Sequence, residues 1–262
     1  MSARGADTAA TGAPSALAGR AEHPLLELQD VHAGYGPFRA LFGVSLRLRE
    51  RSVLALLGSN GSGKTTVARV CSGLIKPTSG RVVFDGRDIT GRRPYRIARL
   101  GISHAPEGRS VFGTLTVAEN LLLLLRRELP RREVDEGLEV AFDMFPPLGQ
   151  RRRQIAGTLS GGEQRMLALA RVLVRPPRLL VCDELSLGLA PIVIDEVYKT
   201  LLRIRDAGTT LLIVEQHVRR ALELADDVVV LLKGQVALAG RADEVGDLSE
   251  SLLPATRGPS PG

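Results

Sequence analysis

The 262-residue chain contains no tryptophan and two cysteines, and aromatic residues fill 3% of its positions. With so few rings, no ladder of stacking side chains interleaves with the arginine clusters at Arg92-Arg93, Arg126-Arg127, Arg131-Arg132 and Arg151–Arg153. These clusters read as solvated basic surface rather than a nucleic-acid groove, so no nucleic-acid partner is expected. Cys71 and Cys182 each fall in an apolar stretch, which argues against a disulfide framework and for two reduced core residues. The four histidines, His23, His32, His104 and His217, lack metal-ligand spacing with them, and no zinc site is expected. No apolar run approaches the roughly 18 residues of a membrane span. The Leu121–Leu125 run is short and followed by Arg126. The N-terminus lacks a charged region followed by an apolar core, so a cytoplasmic location is expected. A net charge of +6 and a pI near 9.9 admit a nucleotide, a nucleic acid or an anionic membrane face, and charge alone does not choose.

What is present is an ordinary globular balance, 44% apolar and 24% charged, in a chain long enough for one large α/β domain with room for an inserted subdomain. Lysine is scarce, limited to Lys64, Lys76, Lys199 and Lys233. One of them completes Gly58-Ser59-Asn60-Gly61-Ser62-Gly63-Lys64-Thr65-Thr66, which has the G-x-x-x-x-G-K-[ST] spacing of a phosphate-binding loop. Val53–Leu57 before it is an apolar run of the length of a doubly buried strand, and the residues from Lys64 to Cys71 read as a helix. Glycines at 58, 61 and 63 let backbone N–H groups converge, and the positive end of the helix dipole faces the same point. Lys64 adds a point charge for the β- and γ-phosphates, and the Thr65 hydroxyl fits a Mg²⁺ coordination sphere.

Around this loop the pattern alternates. Residues 1–23 lack periodicity and are expected to form a disordered leader. Strands are expected at Leu26–Val31 and Val44–Arg49, then at Val82–Phe84 before an Asp85-Gly86 turn, giving an antiparallel layer beside the loop. Ile102–Ala105 reads as a strand ending at Pro106-Glu107-Gly108-Arg109. Thr116-Val117-Ala118-Glu119 has capping-box spacing, and residues 116 to about 175 read as wholly helical. Leu159-Ser160-Gly161-Gly162-Glu163-Gln164 opens a further helix, whose free N–H groups at Ser160, Gly161 and Gly162 predict a second anion site. The apolar strand Leu179–Cys182 ends in Asp183 and Glu184, placed to hold Mg²⁺ through water and to polarise an attacking water. Thr210–Val214 is a buried strand leading to Glu215-Gln216-His217, and Val228–Leu232 and Val236–Leu238 form a terminal hairpin. Residues 254–262 read as a flexible tail.

The phosphate loop, the Leu159–Gln164 signature and the strand ending Asp183-Glu184 together resemble an ATP-binding cassette (ABC) ATPase subunit over roughly residues 25–240. Within that superfamily, Pro106–Arg109, Leu115–Leu121, Leu187–Pro191 and Val214–Gln216 are similar to the second ATP-binding subunit of branched-chain amino acid importers. The resemblance implies an α/β fold, a P-loop NTPase core with a parallel central sheet, an antiparallel β layer and a helical subdomain inserted at about 108–175 of a domain spanning 24–253. It implies ATP and Mg²⁺ as ligands, and ATP hydrolysis that powers solute import through membrane permease subunits at the cytoplasmic face of the plasma membrane. A separate solute-binding protein would act indirectly. Other solutes, such as urea or amides, and a soluble non-transport ABC ATPase are the alternatives.

Position by position, Tyr35 matches the residue that stacks on adenine. Ser160 and Gly162 match residues that close over the γ-phosphate held by a second ABC ATPase subunit, in a homo- or heterodimer. Glu184 matches the catalytic carboxylate. Glu107 stands where the superfamily usually has a glutamine near Mg²⁺ and the γ-phosphate, Gln216 stands at the switch-histidine position, and Leu185 replaces the usual proline.

Overall fold

The structure, a computed structural model, describes residues 23–106, 111–173, 176–216 and 218–244. The expected tail, the expected leader apart from His23, and Glu107 and His217 lie outside the described residues. In chain order the strands and helices are β1 (Pro24–Tyr35), β2 (Phe38–Arg49), β3 (Val53–Gly58), α1 (Lys64–Cys71), β4 (Ser79–Phe84), β5 (Arg87–Asp88), α2 (Pro94–Ala98) and β6 (Ile102–Ala105). There follow α3 (Val117–Glu128), α4 (Val134–Met144), α5 (Pro146–Gly149) and α6 (Gly161–Leu173). The chain continues through β7 (Leu179–Asp183), α7 (Pro191–Asp206), β8 (Thr210–Glu215), α8 (Val218–Leu224), β9 (Asp227–Leu232) and β10 (Gln235–Arg241).

Two sheets form. One runs β10-β9-β3-β8-β7-β6, with β9, β3, β8, β7 and β6 parallel and β10 antiparallel at its edge. The other, β2-β1-β4-β5, is antiparallel. The apolar runs in β3, β7 and β8 have the composition of strands covered on both faces, and alternate residues indeed go to different cores. Leu54, Leu56, Val181, Leu212 and Val214 join Leu26, Leu46 and Phe84 of the antiparallel sheet and Val67 and Val70 of α1. Val53, Leu180, Cys182, Leu211 and Ile213 pack instead with Leu121, Leu167, Ala170, Val197 and Leu201 from the helices. Full burial of one such leucine or valine is worth about 1.5–3 kcal/mol. The central strands are therefore rigid supports for whatever sits at their ends.

The region from 116 onward is not wholly helical. Between α5 and α6 the chain holds only a short 3₁₀ turn at Ala156–Thr158, and Ile155 makes an isolated antiparallel bridge to Thr116. The cause is the open N-terminus of α3, whose first amides have no intrahelical acceptor. Val117 N–H donates to Gln154 O (3.0 Å), Ala118 N–H to Arg152 O (3.0 Å), and Ala156 N–H returns to Leu115 O (2.8 Å). Those bonds draw the turn and bend at 152–154 and the Ile155 bridge against the start of α3.

Candidate functional site

Gly58 ends β3, and the loop that follows folds so that Ser62 N–H meets Ser59 O at 3.1 Å. Gly63 caps α1 with φ 105°, a backbone region that favours glycine, and a Cβ there would lie 2.8 Å from Leu41 Cδ2. The first helical ring closes from Val67 N–H to Gly63 O (3.0 Å), so the amides of Lys64, Thr65 and Thr66 precede it and form the positive terminus of the helix. From behind, Gly234 N–H of the β9–β10 turn donates to Ser62 O (2.9 Å), and Phe42 N–H of β2 donates to Gly234 O (2.9 Å). Lys64 is 3% exposed, and its Nζ donates to Gly58 O (3.0 Å) and Ser59 O (3.2 Å). Among the described residues, Ser62 Oγ is buried without a partner. A converging set of amides, an inward lysine and an unsatisfied hydroxyl suit a phosphate chain.

Parallel pairing brings the acids to the same edge. Asp183 lies opposite Val214 on β8, whose next residue, Glu215, lies opposite Leu57 on β3. Thr65 Oγ1 donates to Asp183 Oδ1 at 3.1 Å. This hydroxyl and carboxylate are hard oxygen donors suited to Mg²⁺, which takes few protein ligands and completes its shell with phosphate and water. Among the described residues no group of three or more His, Cys, Asp or Glu forms a richer metal site. Glu184 Oε1 sits 3.3 Å from Lys64 Nζ, both side chains being largely buried. That contact was not expected from the sequence: two opposite charges in one low-dielectric pocket pair directly.

Gln216 follows β8 at the level of the loop and is half-buried. Tyr35 closes β1 and is 43% exposed, and Arg69 of α1 donates to Tyr35 Oη at 3.1 Å. The ring thus stands beside α1 with a free surface.

The second expected anion group lies apart from the first. Among the described residues no hydrogen bond or ion pair joins 160–164 to 58–66. The amide of Ser160 is not free as expected: it donates to Glu163 Oε2 (2.9 Å), while Ser160 Oγ accepts from Glu163 N–H (3.3 Å), a capping box. Ser160 and Gly161 remain exposed. Gly162 is buried, and a Cβ there would run into Val193 of α7.

Two participants were not evident from the sequence. Arg165 of α6 is 8% exposed and reaches Pro106 O (3.2 Å) and Glu184 O (3.5 Å). Glu215, 2% exposed, accepts from Ser186 N–H (3.1 Å) and Ser186 Oγ–H (2.7 Å). A charged residue within an apolar helix face, and one just before Gln216, were the only traces of them.

Residues 41–186 match the family model described as ABC transporter. Two relatives are named as branched-chain amino acid transport ATP-binding proteins. LivF of Archaeoglobus fulgidus is 38% identical over 222 residues, covering 84% of this chain and 94% of the relative. BraG of Pseudomonas aeruginosa is 38% identical over 217 residues, covering 82% and 91%. A crystal structure of a nucleotide-free ATP-binding cassette from an ABC transporter superimposes with a TM-score of 0.76 at 28% identity, covering 87% of this chain and 96% of that one. With its phosphate loop set against paired acids at the carboxyl ends of a parallel sheet, the chain belongs to the ABC transporter family, as an ATP-binding subunit with ATPase activity.

Proposed function

We propose that the chain powers import of branched-chain amino acids through membrane permease subunits by hydrolysing ATP. The observation that carries the chemistry is the convergence of Lys64, Thr65, Asp183 and Glu184 within hydrogen-bonding or ion-pair distance at one sheet edge. The names of two relatives at 38% identity support the solute. In this reading residues 24–253 form the ATPase domain, with the helices at about 108–175 as the insertion that meets the permease.

Each residue then has a defined task. The amides of the 58–66 loop and Lys64 bind the phosphates, and the Tyr35 ring supports adenine. Thr65 and Asp183, with Glu107, would hold Mg²⁺, which when bound would screen the charge of the β- and γ-phosphates. Lys64 exchanges its contact with Glu184 for phosphate oxygens, which leaves the Glu184 carboxylate to orient water and accept its proton. Gln216 donates a hydrogen bond to the γ-phosphate and, being an amide, does not titrate. Ser160, Gly161 and Gly162 serve the nucleotide of a second subunit.

Phosphate release by the full chain tests the chemistry. Glu184→Gln is expected to bind ATP as the wild type does and to lose roughly 10²–10⁴-fold in turnover, the usual weight of a general base. Undiminished turnover removes Glu184 from that role. Membrane vesicles carrying the chain with its permease test the solute: ATP-driven accumulation of leucine, isoleucine and valine is expected, and uptake of urea in their place overturns it.

A further inference from the structure

Glu184 occupies φ 48°, a left-handed backbone conformation that is uncommon for a non-glycine residue. Such a conformation persists only where its surroundings over-determine it. Leu185, the next residue, has no ring to fix the turn, so the restraint comes from elsewhere. Strand β8 supplies it at two consecutive positions. Val214 O accepts Glu184 N–H at 2.9 Å, and the side chain of the following residue, Glu215, takes both donors of Ser186. The two ends of the Glu184–Ser186 segment are thereby tied to adjacent residues of one rigid, fully buried strand.

The details favour a built grip over incidental packing. Each carboxylate oxygen of Glu215 takes a different donor, Oε1 the amide and Oε2 the hydroxyl, so rotation of either group breaks a bond. Ser186 is 1% exposed and Glu215 2% exposed, so water cannot replace either bond. An unsatisfied buried donor or carboxylate is costly, and the pair is locked by that penalty. Leu185 is 3% exposed and packed in the helix-side core, which anchors the middle of the segment. On the other side, Arg165 reaches Glu184 O. The consequence is felt at Glu184 Oε1, two residues from the grip and 3.3 Å from Lys64 Nζ. Rotation of the segment would carry that carboxylate away from the phosphate loop.

We propose that Glu215 is a positioning residue for hydrolysis, which acts through Ser186 to hold the Glu184 carboxylate over the phosphate loop. The proposal rests on the reading of Glu184 as the general base. Glu215 is buried with its carboxylate on Ser186, so it is assigned a positioning role and no part in the chemical step. The grip needs two hydrogen bonds to Ser186, and a side-chain amide, which accepts from Ser186 N–H and donates to its hydroxyl oxygen, is expected to serve nearly as well as the carboxylate.

The test measures ATP affinity and single-turnover phosphate release for the full chain and for Ser186→Ala, Glu215→Leu and Glu215→Gln. A displacement of order 1 Å at a reacting group can cost about 100-fold. On that scale Glu215→Leu is expected to slow hydrolysis roughly 100-fold and Ser186→Ala roughly 10-fold, with ATP affinity changed less than about threefold. Glu215→Gln is expected to restore most of the rate. Combined with Glu184→Gln, neither Ser186→Ala nor Glu215→Leu should slow the residual reaction further, whereas a general loss of structure would. Ser186→Ala is the least disruptive change, so it decides the matter if Glu215→Leu does not fold. Wild-type rates in Ser186→Ala and Glu215→Gln together with a full loss in folded Glu215→Leu would contradict the shared grip. So would equal losses of rate and affinity, or additivity with Glu184→Gln. Wild-type turnover in Glu184→Gln would instead overturn the base assignment itself, and the two failures are thereby distinguished.

Discussion

His104 lies on β6 with Nε2 buried and, among the described residues, unpartnered, and the nearby Arg69 guanidinium adds to the effect of burial, so the imidazole pKa falls from 6.5 to about 4. In the unfolded chain the same group titrates near 6.5. Between those values the unfolded state takes up a proton that the folded state refuses, so the folded state loses stability as pH falls through 6.5 and the loss levels off below 4. At pH 5 the loss is about 2 kcal/mol, which corresponds to roughly 4–8 °C for a domain of this size. His104→Gln is expected to lack that component, so thermal unfolding at pH 7 and pH 5 should show a smaller drop for the variant. Equal drops would mean that the folded imidazole takes up the proton. The opposite limit holds at Cys71, whose thiol is pushed up to about 12 by burial and stays protonated, as expected of a core cysteine. At this scale the sequence was readable wherever a residue's conformation follows from its immediate neighbours, as for the strand, loop and helix from Val53 to Cys71. The Lys64–Glu184 and Ser186–Glu215 contacts were not readable. They depend on which strand lies beside which, and no local spacing encodes that.

The start of α3 is the element whose behaviour is easiest to forecast. Thr116 Oγ1 accepts from Glu119 N–H (3.2 Å) and Glu119 Oε2 accepts from Thr116 N–H (2.8 Å), the reciprocal pair that the T-x-x-E spacing predicts. Thr116→Ala should cost about 1 kcal/mol, as cap removals do, lowering the melting temperature by about 2–4 °C. Because Ile155 bridges Thr116, hydrogen exchange of Val117, Ala118 and Ala156 should quicken as well. Unchanged exchange there would show that the 152–156 segment is held by other means. Asn120 strengthens the same corner, since its side chain accepts from Phe112 N–H (2.8 Å) and donates to Phe112 O (3.0 Å). The capping box was legible because it is a four-residue pattern. The non-helical stretch between α5 and α6 was not, because it is imposed by amides some 35 residues upstream that need acceptors.

For the whole molecule, no hydrogen bond or ion pair joins 58–66 to 160–164 among the described residues, and exposed apolar residues lie on the 187–193 segment that packs at Gly162. Ile192 is 75% exposed and Leu187 43% exposed, and Val193, the neighbour of Ile192, packs at Gly162. A second subunit would cover them. Light scattering of Glu184→Gln should therefore show a mass that doubles on addition of ATP, and Lys64→Ala in the same background should abolish the doubling. A monomer at saturating ATP would exclude the composite site. The architecture was legible in outline, since apolar strands alternating with helices specify a doubly covered parallel sheet. The order β10-β9-β3-β8-β7-β6 was not, because it reflects pairings between distant segments. That order has a consequence for synthesis. The phosphate loop is complete in sequence at Thr66, yet Ser62 is braced by Gly234 and Thr65 meets Asp183, both of which leave the ribosome much later. A nascent chain therefore cannot use nucleotide as an early folding aid, and it gains that stabilisation only when its C-terminal hairpin closes behind the loop.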